Sequence, residues 1–256
     1  DPDRVPEYMN RAFSLANSGR PGPVVLVTPE DMLSQISKVK IPILTPVIKS
    51  EMPSKGFSAL IEKFKKSKKP LFIIGGSGWT KKSCSKFHHF INENNIPVAT
   101  SFRRQDLFDH KNENFVGSFG TSVSPKLIDS TKTSDLIIVL GARLGEMTTQ
   151  GYSIISPQDI SKNIIHIHVD PNELNKVFNA NVCINVGVNE CCDKLEELTL
   201  DNSDRWKEWR NELNKNYLED SKPQKNRNLN NLSKIFEIVE KKFPTNSIIT
   251  LDAGNN

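Results

Sequence analysis

The sequence predicts an α/β protein built on a doubly wound parallel sheet. Three observations point that way. Continuous apolar runs such as Leu71-Phe72-Ile73-Ile74 and Leu136-Ile137-Ile138-Val139-Leu140 lack polar alternation, as strands buried on both faces require. Segments with apolar residues at helical spacing separate these runs. Glycines follow several runs at their carboxyl ends, where an open parallel sheet binds ligands.

Each element has its own signal. Val5 to Asn17 puts Val5, Met9, Ala12, Phe13 and Ala16 at helical spacing, and Ser18-Gly19 with Pro21 stops the helix. Val24-Val25-Leu26-Val27 reads as a short buried strand. Pro29 to Pro53 carries Pro29, Pro42, Pro46 and Pro53 with weak periodicity, as a linker would. Then a regular series follows. It comprises a helix Ser54 to Lys66, strand Leu71 to Ile74, helix Lys81 to Asn92 and strand Pro97 to Thr100. An irregular stretch to Ser122 leads to a helix at Lys126 to Ser130 and the strand Leu136 to Leu140. Strand Ile164 to Val169, helix Glu173 to Asn179, strand Val182 to Val186 and helix Glu190 to Leu198 close the series. Asp201 to Asp220, with Trp206, Trp209, Leu213 and Tyr217 among dense charges, predicts a long, mostly solvated helix. Asn226 to Asn231 reads as loop. A helix Leu232 to Lys242 feeds a strand Ile248 to Leu251 and the turn Asp252-Ala253-Gly254.

Composition narrows the function classes. Lys and Arg total 34 against 30 Asp and Glu, a net charge of +4, and the signs alternate along the chain rather than forming a basic face. That argues against nucleic acid as a partner. No apolar run approaches the roughly 20 residues of a membrane span, so no membrane partner is expected. The 4 cysteines, Cys84, Cys183, Cys191 and Cys192, form no C-x-x-C pair. A disulfide framework or zinc site is therefore not expected, and a reducing, cytoplasmic setting fits best. The opening at Asp1 rather than Met, and the stop at Asn256, suggest a piece of a longer protein.

Residues that could carry chemistry sit mostly at strand ends. Gly75-Gly76-Ser77-Gly78 would let backbone amides approach a phosphate at a helix N-terminus, or would simply make a tight turn. Gly141-Ala142-Arg143 offers an arginine suited to bidentate phosphate contact, or a solvated loop residue. Gly117-Ser118-Phe119-Gly120 is a third point of backbone approach. Three such loops converging on one sheet edge favour a nucleotide crevice. Arg103 and Arg104 would meet an anionic cofactor, a neighbouring subunit or solvent. His166 and His168 share one strand face. H-x-H can bind a metal, but no Cys, Asp or Glu cluster completes a shell, and the plainer reading is a pair beneath a helix. Asp170 suits a ribose hydroxyl, but Asp-Pro is more simply an N-cap. Cys191 and Cys192 fall in a helix without a nearby histidine and read as structural.

The order of these pieces resembles the thiamine-diphosphate-dependent enzymes of the acetolactate synthase and pyruvate oxidase group. Ser18-Gly19-Arg20-Pro21-Gly22-Pro23-Val24, closing with Pro29 and Asp31, looks like the end of that family's pyrimidine-binding domain. Pro70 to Gly78, Ile96-Pro97-Val98, Gly117 to Gly120 and Asp135 to Arg143 look like its Rossmann-like central domain, and Ile164 to Asn185 like that domain's close. Ser247 to Gly254 resembles the start of the diphosphate-binding domain. The domains so implied are 1–36, a linker at 37–53, a central nucleotide-binding-like domain at 54–200, a helical connector at 201–245 and a C-terminal start at 246–256. Phe102-Arg103-Arg104-Gln105-Asp106 and Leu144 to Tyr152 look like a less characterised branch rather than the biosynthetic synthase.

The resemblance implies an activity for the whole protein. In the family, thiamine diphosphate adds to a 2-oxo acid substrate, CO2 leaves, and the carbanion passes to an acceptor. A glutamate of the first domain and a Gly-Asp-Gly motif that holds Mg²⁺ carry this chemistry. This sequence contains no Gly-Asp-Gly, so the chain alone should not turn over substrate. A homodimer or homotetramer is implied, because each active site lies between subunits. The central domain holds FAD, ADP or nothing. Position by position, Arg20, Gly75, Gly76, Thr100, Gly117, Gly141 and Arg143 match places that line the family's FAD site. Two positions depart from the pattern: His168 and Val188 stand where the family often has acids. At roughly 1 kcal/mol per lost hydrogen bond, that is about tenfold or more in affinity. The runner-up reading is a stand-alone domain for NAD or ADP, sirtuin-like or purely structural.

Overall fold

Every residue of Pro70–Ile74 and of Leu136–Leu140 is buried, so both faces of each strand are covered, as the apolar runs require. The computed structural model describes residues 1–43, 49–157, 163–198, 200–201, 203–222, 232–244 and 246–250. In order, the elements are α1 (Val5–Asn17), α2 (Glu30–Leu33), α3 (Ser54–Lys66), β1 (Pro70–Ile74), α4 (Lys81–Asn94), β2 (Val98–Thr100) and β3 (Phe115–Ser118). There follow α5 (Pro125–Thr133), β4 (Leu136–Leu140), α6 (Glu146–Thr149), β5 (Asn163–His168), β6 (Val182–Asn185), α7 (Val188–Glu196), α8 (Lys207–Asp220) and α9 (Leu232–Lys242).

The strands form one six-stranded sheet in the order β3-β2-β1-β4-β5-β6, and all pairs are parallel. The chain therefore builds outward from β1 to β3, then returns to lay β4 on the other side of β1. That reversal is the topological switch point of a doubly wound fold. Successive side chains of a strand point to opposite faces, and the core divides accordingly. Phe72, Ile74, Ile138, Leu140, Ile165 and Ile167 pack with Phe64 of α3, Phe87 and Phe90 of α4 and Leu195 of α7. Leu71, Ile73, Ile137, Val139 and Ile164 pack on the other side with Leu127 of α5, Phe178, Trp209 and Leu213. On the first face Phe72 meets Phe87 edge-on at 5.3 Å, and Phe64 lies 5.6 Å from Trp206.

The base of the sheet is tied by one carboxylate. Asp135, just before β4, accepts from Ser67 Oγ (2.6 Å), Lys68 N (2.7 Å) and Lys69 N (2.9 Å), fixing the turn that feeds β1. The indole N–H groups of Trp206 and Trp209 donate to the carbonyls of Ser67 (3.1 Å) and Pro70 (3.0 Å) in the same region.

Several expectations are corrected. Val24 to Val27 forms no strand: Val25 and Val27 are 82% and 89% exposed. A strand needs a neighbour to complete its ladder, and none of the described strands pairs with it. The irregular stretch before Ser122 contains β3. This strand was missed because Gly117 interrupts a short run, and its pairing with β2 is irregular at Val98/Ala99. The expected helix Glu173 to Asn179 is a 3₁₀ turn, Pro171–Glu173, ending before Asn175, whose φ of 57° breaks helical geometry. Asn175 Oδ1 instead accepts from Ala180 N at 3.2 Å. The Asp201 to Asp220 segment is a 3₁₀ turn, Ser203–Trp206, followed by α8. Most of its positions are exposed, as expected, while Trp206, Trp209, Arg210 and Leu213 are buried. Ile248 to Thr250 forms no strand, with Ile248 92% exposed. Leu251, the turn at Asp252 to Gly254 and the loop at Asn226 to Asn231 lie outside the described residues.

The chain divides into two compact units, Asp1–Tyr217 and Leu218–Asn256. The first holds the whole sheet and the N-terminal segment with α1. The second contains α9, which leaves Ile235, Phe236 and Ile238 exposed. Among the described residues no helix is long and apolar enough to cross a membrane.

Candidate nucleotide cleft

The switch point places two glycine turns side by side. β1 and β4 are hydrogen-bonded neighbours with Ile74 opposite Leu140, so the turns that leave them must share one space. Gly76 (φ 72°) and Gly141 (φ 71°) both adopt the left-handed backbone. A Cβ on Gly76 would stand 1.9 Å from the Gly141 carbonyl oxygen, and one on Gly141 would stand 2.6 Å from that of Gly75. Only glycine lets the two turns pass this closely. The strand ladders continue into the tips, with Gly75 N donating to Leu140 O (3.1 Å) and Gly141 N to Ile167 O (2.9 Å).

Above these tips lies a cavity of ≈ 1230 Å³ within the first unit. Arg20, Gly76, Gly141 and Arg143 line it; Gly75, Thr100 and Gly117 do not. Gly75 sits beneath, its Cβ space taken by the Ser101 side chain. Thr100 Oγ1 is paired with Ser118 Oγ at 2.7 Å. Gly117 lies in β3, where a Cβ would meet Leu127. The expectation that three glycine loops converge is thus corrected. Two do, and the third leaves an edge strand separated from the switch by β2 and β1.

The lining is cationic. Arg20, Lys49, Arg103, Arg104, Arg143 and Lys176 face Glu146, Glu173 and Glu190. Arg104 is paired with Asp106 at 3.0 Å and Lys176 with Glu173 at 3.2 Å. Arg20, Lys49 and Arg143 have no ion-pair partner among the described residues, and the Arg103 guanidinium lies 5.1 Å from the Phe102 ring centre. The N-terminus of α4 does not line the cavity. Thr80 and Ser83 cap it reciprocally, with Ser83 N donating to Thr80 Oγ1 (3.1 Å) and Thr80 N to Ser83 Oγ (2.8 Å). At this end the Gly76–Gly78 loop, rather than α4, brings backbone to the cavity.

The two histidines of β5 also reach the cavity. His166 Nε2 lies 2.9 Å from the Ala142 carbonyl, which can only accept, so this nitrogen carries the proton. His168 Nδ1 lies 3.0 Å from the Asp170 amide and 3.1 Å from the Asp170 carbonyl, which holds the ring against its own turn in either tautomer. Burial holds both rings below the ordinary histidine range, and at His168 the nearby Arg20 charge adds to it. No group of three or more His, Cys, Asp or Glu among the described residues is placed to hold a metal ion. Asp170 acts as a cap, its carboxylate accepting from Asn172 N (2.9 Å) and Nδ2 (3.0 Å). Cys191 and Cys192 are buried in α7, and burial pushes the Cys191 thiol up to about 12.

Sequence reasoning missed Lys49, Lys176 and Glu190 as cavity residues. Lys49 and Lys176 lie in segments with no strand end or motif to mark them, and Glu190 lies within a helix. Only the folding of those segments across the sheet tips brings them in.

Comparison with known proteins agrees with this architecture. Residues 57–195 match the family described as thiamine pyrophosphate enzyme, central domain. An acetolactate synthase large subunit of Buchnera aphidicola subsp. Schlechtendalia chinensis is 30% identical over 188 residues, covering 70% of this chain and 32% of that protein. The chloroplastic acetolactate synthase 2 of Nicotiana tabacum is 29% identical over 230 residues, 83% of this chain and 33% of its own length. The chain thus spans about a third of these relatives. A solved structure described as a thiamin diphosphate-dependent enzyme isolated from Mycobacterium smegmatis superposes with a TM-score of 0.66 at 17% identity. It covers 80% of this chain and 39% of that one.

Proposed function

The chain belongs to the thiamine pyrophosphate enzyme family, whose central domain it matches, and on that premise we propose that the cleft at the β1 and β4 tips holds the adenosine diphosphate portion of ADP or FAD. The observation that carries this reading is the pair of glycine turns at the switch point, in a cavity whose Arg20, Lys49 and Arg143 have no ion-pair partner among the described residues. Gly76 and Gly141 line the cavity where a diphosphate can approach, and Arg20 and Arg143 stand at the cavity wall. Arginine binds phosphate oxygens in parallel hydrogen bonds and keeps its charge at every working pH. The residues fit an anionic ligand, although His168 and Val188 bring no carboxylate. Titration of the purified chain with ADP and with FAD tests the reading. Saturable binding of either is expected, weakened about tenfold in Arg143→Ala. Absence of binding by both would overturn it.

For the complete protein we infer a thiamine diphosphate- and Mg²⁺-dependent lyase or transferase acting on a 2-oxo acid. The acetolactate synthase relatives support this. Thiamine diphosphate supplies the electron sink for breaking a bond next to a carbonyl. The residues of this chain contribute a rigid sheet and an anion-binding cleft, while the bond-making groups belong to other segments. A homodimer or homotetramer in the cytoplasm completes the reading. CO2 release from pyruvate by the complete protein, dependent on thiamine diphosphate and Mg²⁺, is the expected result. Failure across a panel of 2-oxo acids would refute it.

A further inference from the structure

A nucleotide in this cleft needs an acceptor for its ribose hydroxyls, and in doubly wound folds a carboxylate near a strand tip fills that role. The acids nearest the β5 tip are already engaged. Asp170 caps its own turn through Asn172, and Glu173 is paired with Lys176. His168 is an imidazole rather than a carboxylate, and its Nδ1 is engaged by the Asp170 backbone. Glu190 is different. It occupies the first turn of α7 and folds back over Gly187, the residue that precedes the helix. A Cβ on Gly187 would stand 2.1 Å from Glu190 Oε2. A glutamate at this position ordinarily returns a hydrogen bond to the N-cap amide, but no side-chain cap bond is formed here. Among the described residues the carboxylate has neither a hydrogen bond nor an ion pair, and it lines the cavity. Asn189 fixes the turn in place. Its Nδ2 donates to the Gly78 carbonyl (2.8 Å), and its Oδ1 accepts from Thr80 Oγ1 (3.2 Å). This joins the start of α7 to the Gly76–Gly78 loop.

We propose that Glu190 is the group that reads the ribose of the bound nucleotide, accepting from its 2′- and 3′-hydroxyls, and that Gly187 is glycine to let that carboxylate lie over the strand tip. The inference rests on the adenosine diphosphate reading of the cleft. A carboxylate only accepts hydrogen bonds, so it favours a free diol and repels a 2′-phosphate. The test is calorimetric titration of the chain, of Glu190→Gln and of Gly187→Ala with ADP and 2′-deoxy-ADP. The parent chain is expected to prefer ADP about tenfold, as for a hydrogen bond to a charged group. In Glu190→Gln the preference should shrink to about twofold, because a neutral amide accepts more weakly. Gly187→Ala should lose it as well by displacing the side chain, with the carboxylate still present. Equal preference in the parent and in Glu190→Gln overturns this inference while leaving the nucleotide reading standing, as does a parent that binds both ligands alike. Failure of the parent to bind ADP or FAD at all overturns both.

Discussion

The two faces of the sheet use the same strands for different ends. On one face Phe72, Ile74, Ile138, Leu140, Ile165 and Ile167 meet an aromatic cluster built by α3, α4 and Trp206. That face is apolar to the strand tips. On the other, Leu71, Ile73, Ile137 and Val139 are equally apolar low on the sheet, but β5 continues as Ile164, His166, His168. The polar groups enter only where the strands run out into the cavity. The cavity above the tips is lined from both sides, by His166 and His168 on the second face and by Val186, Val188 and the start of α7 on the first. Strand alternation thus confines the histidines to the second face.

The largest expected effect breaks the first face. Phe72→Ala removes a fully buried ring that touches Phe64, Phe87 and Phe90, and should cost about 3–5 kcal/mol in denaturant unfolding. A loss under 1 kcal/mol would mean that this face does not carry the fold. Next comes Gly141→Ala at the tips. Its Cβ would press on Val188 at 2.5 Å and on the Gly75 carbonyl at 2.6 Å, in a left-handed conformation costing about 1–2 kcal/mol by itself. Unfolding should shift by less than in Phe72→Ala, yet ADP binding should fall more than tenfold. Equal loss of both properties in the two variants would erase the distinction between faces.

The smallest effect is a pH dependence confined to the second face. Burial lowers the folded values of His166 and His168, so the unfolded chain takes up protons first as pH falls. Stability should therefore be full above about pH 6.5 and should decline from there toward the lower folded values. His166→Gln with His168→Gln should flatten that slope in melting curves between pH 5 and pH 7.5. An unchanged slope would place the acid sensitivity elsewhere.

Much of this was readable in the residues. β1 and β4 announce themselves as unbroken apolar runs because a strand covered on both sides tolerates nothing else. The Asp170 cap was equally plain, since an aspartate before proline satisfies the turn's amide within two residues. Val24 to Val27 misled because its composition suits a strand while its ladder partner must come from elsewhere in the chain. β3 escaped because Gly117 weakens its pattern, and only pairing with β2 makes it a strand.

The sequence by itself determined most of the local elements (not β3, Val24 to Val27 or the turn at Pro171–Glu173), the two-faced apolar pattern and the supply of glycines and cations at strand ends. These follow from contacts between residues a few positions apart. Only the tertiary structure decided which tips stand together. Gly76 and Gly141 are 65 positions apart and meet because β4 pairs with β1, while Gly117 is sent to the far edge by the same strand order. It also decided that Glu190, an ordinary helical residue in the sequence, turns back over Gly187 into the cavity. Strand order and side-chain direction are set by long-range packing, which no local spacing encodes.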